Sequence, residues 1–154
     1  MSPTWNDHLL QATVLTFEAL CFIWPDEELS PSQHQGLTPD ATVSVEFRGV
    51  FHGRLQLSLY GDLLPLLAAN MLGQDEAPPQ PLQVEALGEV ANVICGNLLP
   101  QLAGPFEVFQ VETPQLRVGA ETTIDASMAH MAAVQLGLEQ GRAELDLYLE
   151  SASS

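Results

Sequence analysis

Apolar residues recur at two different periods along this chain, and the periods divide it into helices and strands. From Leu9 onward they repeat at the 3.6-residue period of a helix. Thr4 and Asp7, a hydroxyl followed three positions later by an acid, form a helix-start signature ahead of it. We expect Pro25 to close this helix and residues 25–40, with three prolines and many polar residues, to form a loop.

The period then changes to two. Apolar residues alternate with polar ones between residues 43 and 47 and again between 55 and 59, which predicts a β-hairpin around the turn "RGVFHG". The segment "LLPLLAANMLG" predicts a second helix, because proline is tolerated in a first turn and glycine often ends a helix. Residues 74–81 are expected to be a linker.

A third helix is predicted over residues 82–99, and the rest of the chain favours strands. We expect a strand at 106–111, a turn and an extended piece at 112–119, a hairpin around Gln140-Gly141, and a disordered tail at 151–154. This order favours an α+β fold in which residues 1–154 form a single domain, with helices packed on a largely antiparallel sheet. A doubly wound nucleotide-binding fold is disfavoured, because no strand–helix–strand series occurs.

The third helix has one apolar and one polar face when it is plotted at 100° per residue. The apolar arc holds Val84, Leu87, Val90, Ala91, Ile94, Leu98 and Leu102. The opposite side, which we call the polar ridge, consists of Glu85, Glu89, Asn92 and Gly96, with Gly88 at its border. Each internal glycine costs about 1 kcal/mol relative to alanine, so we expect another body to approach this surface closely. That body is either another segment of the same chain or a partner protein.

Glu89 and Asn92 lie three positions apart and therefore point the same way. A carboxylate can anchor a cation, whereas a carboxamide can donate and accept hydrogen bonds and so orient a water molecule. This combination suits phosphoryl hydrolysis, in which positioning an in-line water does much of the catalytic work. Glu85 is either a second docking acid or a solvated side chain.

The charge balance restricts the choice of ligands. Twenty acidic residues face four arginines and no lysine, a formal net charge of −16. Nucleic acids and anionic membranes are disfavoured, because both require clustered positive charge. Cys21 and Cys95 lie in apolar runs and favour a reduced, cytoplasmic setting. Neither a signal peptide nor a membrane span is predicted.

The sequence gives little support for a metal site or for nucleophilic hydrolysis. The four histidines, His8, His34, His52 and His130, are scattered without metal-ligand spacing, and no metal site is predicted. The segment from Met128 to Met131 is interpreted as core or edge packing rather than a soft-metal site. Cys95 is placed towards the core and no G-x-S-x-G motif occurs, which disfavours nucleophilic hydrolysis.

The stretch "VEALGEVANVICGN" resembles the E-x-x-N-x-x-x-G helix of the CheC/CheX/FliY chemotaxis phosphatase family. The opening helix, the first hairpin, the Thr113-Pro114 pair and the closing hairpin occur in the order of that family. The single E-x-x-N helix favours the CheX type.

The resemblance implies a phosphatase that acts on the aspartyl phosphate of a CheY-like response regulator in two-component signalling. Glu89 would form a salt bridge to the regulator's active-site lysine and Asn92 would orient the hydrolytic water, with Glu85, Gly88 and Gly96 as partner-binding residues. No cofactor is expected on this chain, because the Mg²⁺ belongs to the phosphorylated partner. A homodimer is also expected.

A non-catalytic alternative stays open. The same fold occurs in flagellar switch proteins of the FliM middle-domain type, so the chain could be a receiver-binding adaptor or scaffold domain. Pro100 is expected to end or kink the third helix about two turns beyond Asn92.

Overall fold

The computed structural model of the chain describes residues 4–34, 38–118 and 128–150. Within these ranges it contains three α-helices and a six-stranded sheet. The helices are α1 (Trp5–Thr16), α2 (Leu64–Leu72) and α3 (Gln80–Ala103). The strands are β1 (Ala41–Arg48), β2 (His52–Tyr60), β3 (Gln110–Val111), β4 (Gln115–Val118), β5 (Met128–Leu138) and β6 (Gly141–Glu150). The predicted α+β fold with a single domain is confirmed.

The sheet is antiparallel throughout, in the order β3-β1-β2-β6-β5, and β4 pairs with the other half of β1. Its registers place Val43 opposite Leu57, and Leu57 opposite Leu145. All three side chains are fully buried. Because side chains alternate between the two faces of a strand, this row belongs to the apolar face, and the core lies between that face and the helices.

The helices cover the apolar face of the sheet through their own apolar sides. The buried core joins Leu9 of α1 and Leu67 of α2 to Ile94 and Leu98 of α3. The predicted start of α1 is confirmed: the Asp7 backbone N–H donates to Thr4 Oγ1, and the Thr4 backbone N–H donates to Asp7 Oδ2. Gly73, with φ at 67°, ends α2 as expected.

The first helix ends earlier than predicted. After Thr16 the backbone continues as a wider π-helical turn, Phe17–Cys21, and Phe22 with φ at 56° then turns the chain out of the helix. Pro25 therefore lies beyond the helix end. The left-handed conformation of Phe22 stops the helix, and no sequence signal such as glycine marks it.

The strand predicted at 106–111 is largely wrong, since only Gln110 and Val111 are paired, with Arg48 and Phe47 of β1. Because β1 ends at Arg48, residues 106–109 have no neighbouring strand to pair with. Phe106 and Val108 are 95% and 85% exposed. Their alternation therefore does not reflect a buried strand.

Of the two effects expected of Pro100, an end or a kink of the third helix, the end is wrong. α3 begins at Gln80, inside the predicted linker, and continues through Pro100 to Ala103. Leu98 and Leu99 are buried, and Leu102 packs against the core, so the last turn is held by tertiary contacts. The Gly104 N–H donates to the Pro100 carbonyl at 2.9 Å and closes the helix. The predicted tail, residues 151–154, lies outside the described residues.

The free edge of β5 is partly occupied by the chain itself. The Ala133 N–H donates to Asn6 Oδ1 at 3.0 Å, and Gly137 exchanges two backbone hydrogen bonds with Asp26. Such coverage is a common protection of edge strands. The expected homodimer stays a prediction.

Candidate docking site on the third helix

The polar ridge faces solvent. Glu85, Glu89, Asn92 and Gly96 are all exposed, while Val90 and Ile94 on the opposite side are fully buried. The apolar arc is buried as predicted over its central part, and only its two end residues, Val84 and Leu102, are partly exposed. The 3.6-residue period of the helix thus places the predicted site residues on one accessible surface.

A groove of about 600 Å³ runs beside the ridge, between α3 and the segment leading into β4. Its walls carry acidic and amide side chains, and its floor is apolar. The lining residues are Val43, Val84, Glu85, Gly88, Glu89, Asn92, Val93, Thr113, Pro114 and Leu116. We call it the α3–β4 groove.

Asn92 lines both this groove and a second depression. The second depression has a volume of about 430 Å³ and is lined by Asn92, Val111, Glu112, Thr113 and Pro114. Sequence reasoning noted Thr113-Pro114 only through the family resemblance and missed the apolar floor. The floor residues come from β1, α3 and β4, and no local pattern brings these elements together.

The two glycines of α3 have different neighbours. A Cβ added at Gly88, which is buried, would lie 3.4 Å from Cβ and 3.5 Å from Cγ of Pro114. The body that approaches Gly88 closely is therefore this chain itself. At Gly96 nothing lies within 4 Å of an added Cβ, so the surface there is open. The sequence left open whether another segment of the chain or a partner protein approaches these glycines. At Gly88 it is another segment of the chain.

The electrostatic character of the α3–β4 groove is acidic. Glu85 and Glu89 lie one helical turn apart, and none of the lining residues is basic. Within the described part of the chain, the side chains of Glu85, Glu89 and Asn92 take part in no hydrogen bond or ion pair. Their polar atoms are therefore free to bind a cation, a hydrogen-bond donor or a water molecule from outside.

The neighbouring polar residues of α3 have structural contacts. Cys95 is fully buried, and burial raises the pKa of its thiol to about 12, so no nucleophilic thiolate forms at neutral pH. Asn97 donates through Nδ2 to Thr16 Oγ1 at 3.2 Å, which ties α3 to α1. The buried position of Cys95 agrees with the sequence analysis.

Across residues 4–34, 38–118 and 128–150, no group of three or more His, Cys, Asp or Glu side chains is arranged to hold a metal ion. His130, at the centre of the Met128 to Met131 segment, lies on β5 and bonds through Nε2 to Asp146 Oδ1 at 2.8 Å. His52 bonds through Nδ1 to Glu150. No helix in the same part of the chain is long and apolar enough to cross a membrane.

The part of the sequence that forms this site matches a known protein family. Residues 41–136, which contain the polar ridge and both sides of the α3–β4 groove, match the family model described as chemotaxis phosphatase CheX. The chain belongs to the CheX family. No curated protein matches its sequence.

Solved structures of CheX and related proteins share this fold. A CheX protein from Desulfovibrio desulfuricans superposes with a TM-score of 0.76 at 20% identity, covering 95% of this chain and 99% of that one. A CheX–CheY–BeF3–Mg²⁺ complex from Borrelia burgdorferi gives 0.75 at 17% identity, covering 96% and 98%. A FliM middle domain from Vibrio alginolyticus gives 0.58 at 11%, covering 95% and 90%. At these identities the likeness establishes the fold alone.

Proposed function

We propose that this CheX-family protein is a phosphatase that hydrolyses the aspartyl phosphate of a CheY-like receiver domain, which docks on the polar ridge of α3. The observation that carries the proposal is the exposed, unpaired pair of Glu89 and Asn92 on the wall of the α3–β4 groove. The family model and the similarity to a CheX solved in complex with CheY support the choice of partner.

Glu89 is the anchoring group in this proposal. Its carboxylate is exposed and has no cation within the described part of the chain, so an incoming lysine ammonium would be its first ionic partner. Glu85, one turn earlier on the same surface, adds negative charge at the groove. Charge of one sign along a groove speeds the encounter with an oppositely charged partner.

Asn92 is the positioning group. Its carboxamide can accept a hydrogen bond from a water molecule through Oδ1 while Nδ2 donates to a phosphoryl oxygen. The oriented water attacks phosphorus, the bond between phosphorus and the aspartyl oxygen breaks, and the products are inorganic phosphate and the free carboxylate. The attacking water loses its protons to the released phosphate and solvent, because an amide is not a base. Positioning is the main contribution that a protein makes to such a reaction.

The divalent cation belongs to the partner in this proposal. The groove offers two glutamates on one wall and an apolar floor, which is a poor set of ligands for Mg²⁺. We therefore propose a Mg²⁺-loaded receiver as the substrate, in the cytoplasm, and a homodimer as the working state. Sedimentation at micromolar concentration would test the dimer.

The decisive experiment measures phosphate loss from a panel of Mg²⁺-loaded, phosphorylated receiver domains. Wild type is compared with Asn92→Ala and Glu89→Ala, and with Gln101→Ala as a control, an exposed polar residue of α3 outside the α3–β4 groove. We expect wild type and Gln101→Ala to accelerate hydrolysis of one receiver. Asn92→Ala should lose about 100-fold in rate while still binding, since a positioning group acts mainly in the transition state.

Two outcomes would contradict the proposal. If Asn92→Ala retains the full rate, another group orients the water. If wild type binds one receiver in a Glu89-dependent way without accelerating hydrolysis, the chain is an adaptor, as the fold shared with the FliM middle domain permits.

A further inference from the structure

Pro100 and Gly96 occupy positions i and i−4 of the same helix, on its exposed side. These residue types are the two least favourable in a helix interior. An added Cβ at Gly96 would have no neighbour within 4 Å, and Pro100 is exposed. No packing within the described residues therefore requires glycine or proline at these positions.

Proline at position 100 removes one hydrogen bond from the helix. In a regular α-helix the N–H of residue 100 would donate to the carbonyl of residue 96. Proline has no N–H, so the Gly96 carbonyl oxygen loses its regular donor. Gly96 is exposed and has only backbone atoms, so this oxygen lies at the surface of the ridge. The ridge therefore presents a backbone acceptor about 6 Å along the axis from Asn92, a distance of four residues.

We infer that the Gly96 carbonyl is a recognition point for the receiver domain and accepts a hydrogen bond from a cationic side chain of the docked partner. The inference rests on the proposed function. The donor is assigned as lysine or arginine because the same ridge carries Glu85 and Glu89 and its groove has no basic residue. A carbonyl oxygen at the end of that acidic row adds a third site that attracts positive charge. Pro100 acts as a positioning residue, through the carbonyl that it leaves free.

Pro100→Ala tests this directly, because it restores the N–H that would occupy the Gly96 carbonyl. We expect the variant to unfold at a higher temperature than wild type, since alanine favours the helix. Its affinity for the beryllofluoride-loaded, Mg²⁺-bound receiver should fall about tenfold, as for loss of one hydrogen bond to a charged group. Phosphate release at saturating receiver should be unchanged.

Pro65→Ala is the matched control, because it removes a proline from the first turn of α2, away from the ridge. It should leave the affinity unchanged. The inference is overturned if Pro100→Ala stabilises the protein but binds the receiver as tightly as wild type. If wild type itself neither binds nor dephosphorylates any receiver, the proposed function fails and this inference fails with it. Wild-type binding combined with unaltered binding by Pro100→Ala refutes the inference alone.

Discussion

Gly88 of α3 faces Pro114, which immediately precedes β4, across a gap that one methyl group would fill: a Cβ added at Gly88 would lie 3.4 Å from Cβ of Pro114. Both residues line the α3–β4 groove. Asn92, one turn beyond Gly88, lines the groove together with Pro114. A side chain larger than alanine at Gly88 would therefore press on Pro114 beside this amide.

A bulky side chain at Gly88 is expected to widen the groove. Gly88→Val would force Pro114 outward, and we expect a loss of about 1–3 kcal/mol in the free energy of unfolding together with a lower dephosphorylation rate. Gly88→Ala places its Cβ at an ordinary van der Waals distance from Pro114, so its better helix propensity of about 1 kcal/mol should stabilise the protein. Urea unfolding followed by circular dichroism, combined with the phosphate-release assay, measures both effects. Wild-type values for Gly88→Val would show that Pro114 does not limit the size of the side chain at position 88.

Removing one charge at Glu89 should slow the encounter with the receiver. We expect Glu89→Gln to lower the association rate about threefold to tenfold at low salt and to flatten its dependence on ionic strength. Glu107→Gln is the charge-matched control, because Glu107 is exposed and lies outside the groove lining. Stopped-flow measurement of the association rate at low and high KCl distinguishes the effects of the two variants. Equal effects of both variants would mean that only the net charge of the protein matters.

The sequence predicted the ridge well because one helix contains all of its residues. A 3.6-residue period assigns Glu89 and Asn92 to the face opposite Ile94 without any knowledge of tertiary structure, and the structure places them there. The function proposed for these residues, in contrast, depends on the family resemblance. An E-x-x-N spacing alone does not distinguish a catalytic pair from two solvated side chains.

The features that the sequence did not predict depend on contacts between distant segments. Nothing near Gly88 indicates that Pro114 will cover it, so the sequence leaves a partner protein open as an explanation for the glycine. Phe106 and Val108 have the alternation of a strand, but pairing requires a neighbour, and β1 ends too early to supply one. At Pro100, burial of the adjacent leucines outweighs the local tendency to end the helix.

The two cysteines are expected to be unreactive in the folded protein. Cys21 and Cys95 are fully buried, and burial raises the pKa of each thiol to about 12. Because the thiolate is the reactive form, alkylation by iodoacetamide at pH 8 should be negligible in the native state and complete in urea. Mass spectrometry of the labelled protein counts the modified thiols. Rapid native labelling of Cys95 would contradict its burial beneath the polar ridge.

Asp146 should make stability depend on pH. Burial in the sheet raises the pKa of its carboxyl above 3.8, an effect that the hydrogen bond from His130 at 2.8 Å opposes and nearby Glu144 reinforces. With its pKa raised on folding, the native state binds more protons than the unfolded state between the two values. The contribution of Asp146 to stability is therefore fully present below pH 3.8 and is lost as the pH rises through the folded pKa.

Asp146→Asn isolates this contribution, because the amide stays neutral and can still bond to His130. Relative to wild type, the variant should gain in free energy of unfolding as the pH rises above 3.8, because the wild-type carboxyl then ionises against a pKa that burial has raised. Urea unfolding at a series of pH values measures the difference, and Asp75→Asn, at an exposed loop position, controls for the loss of one negative charge. A difference that instead shrinks with rising pH would show that the bond to His130 outweighs burial and that the ionised carboxylate stabilises the fold.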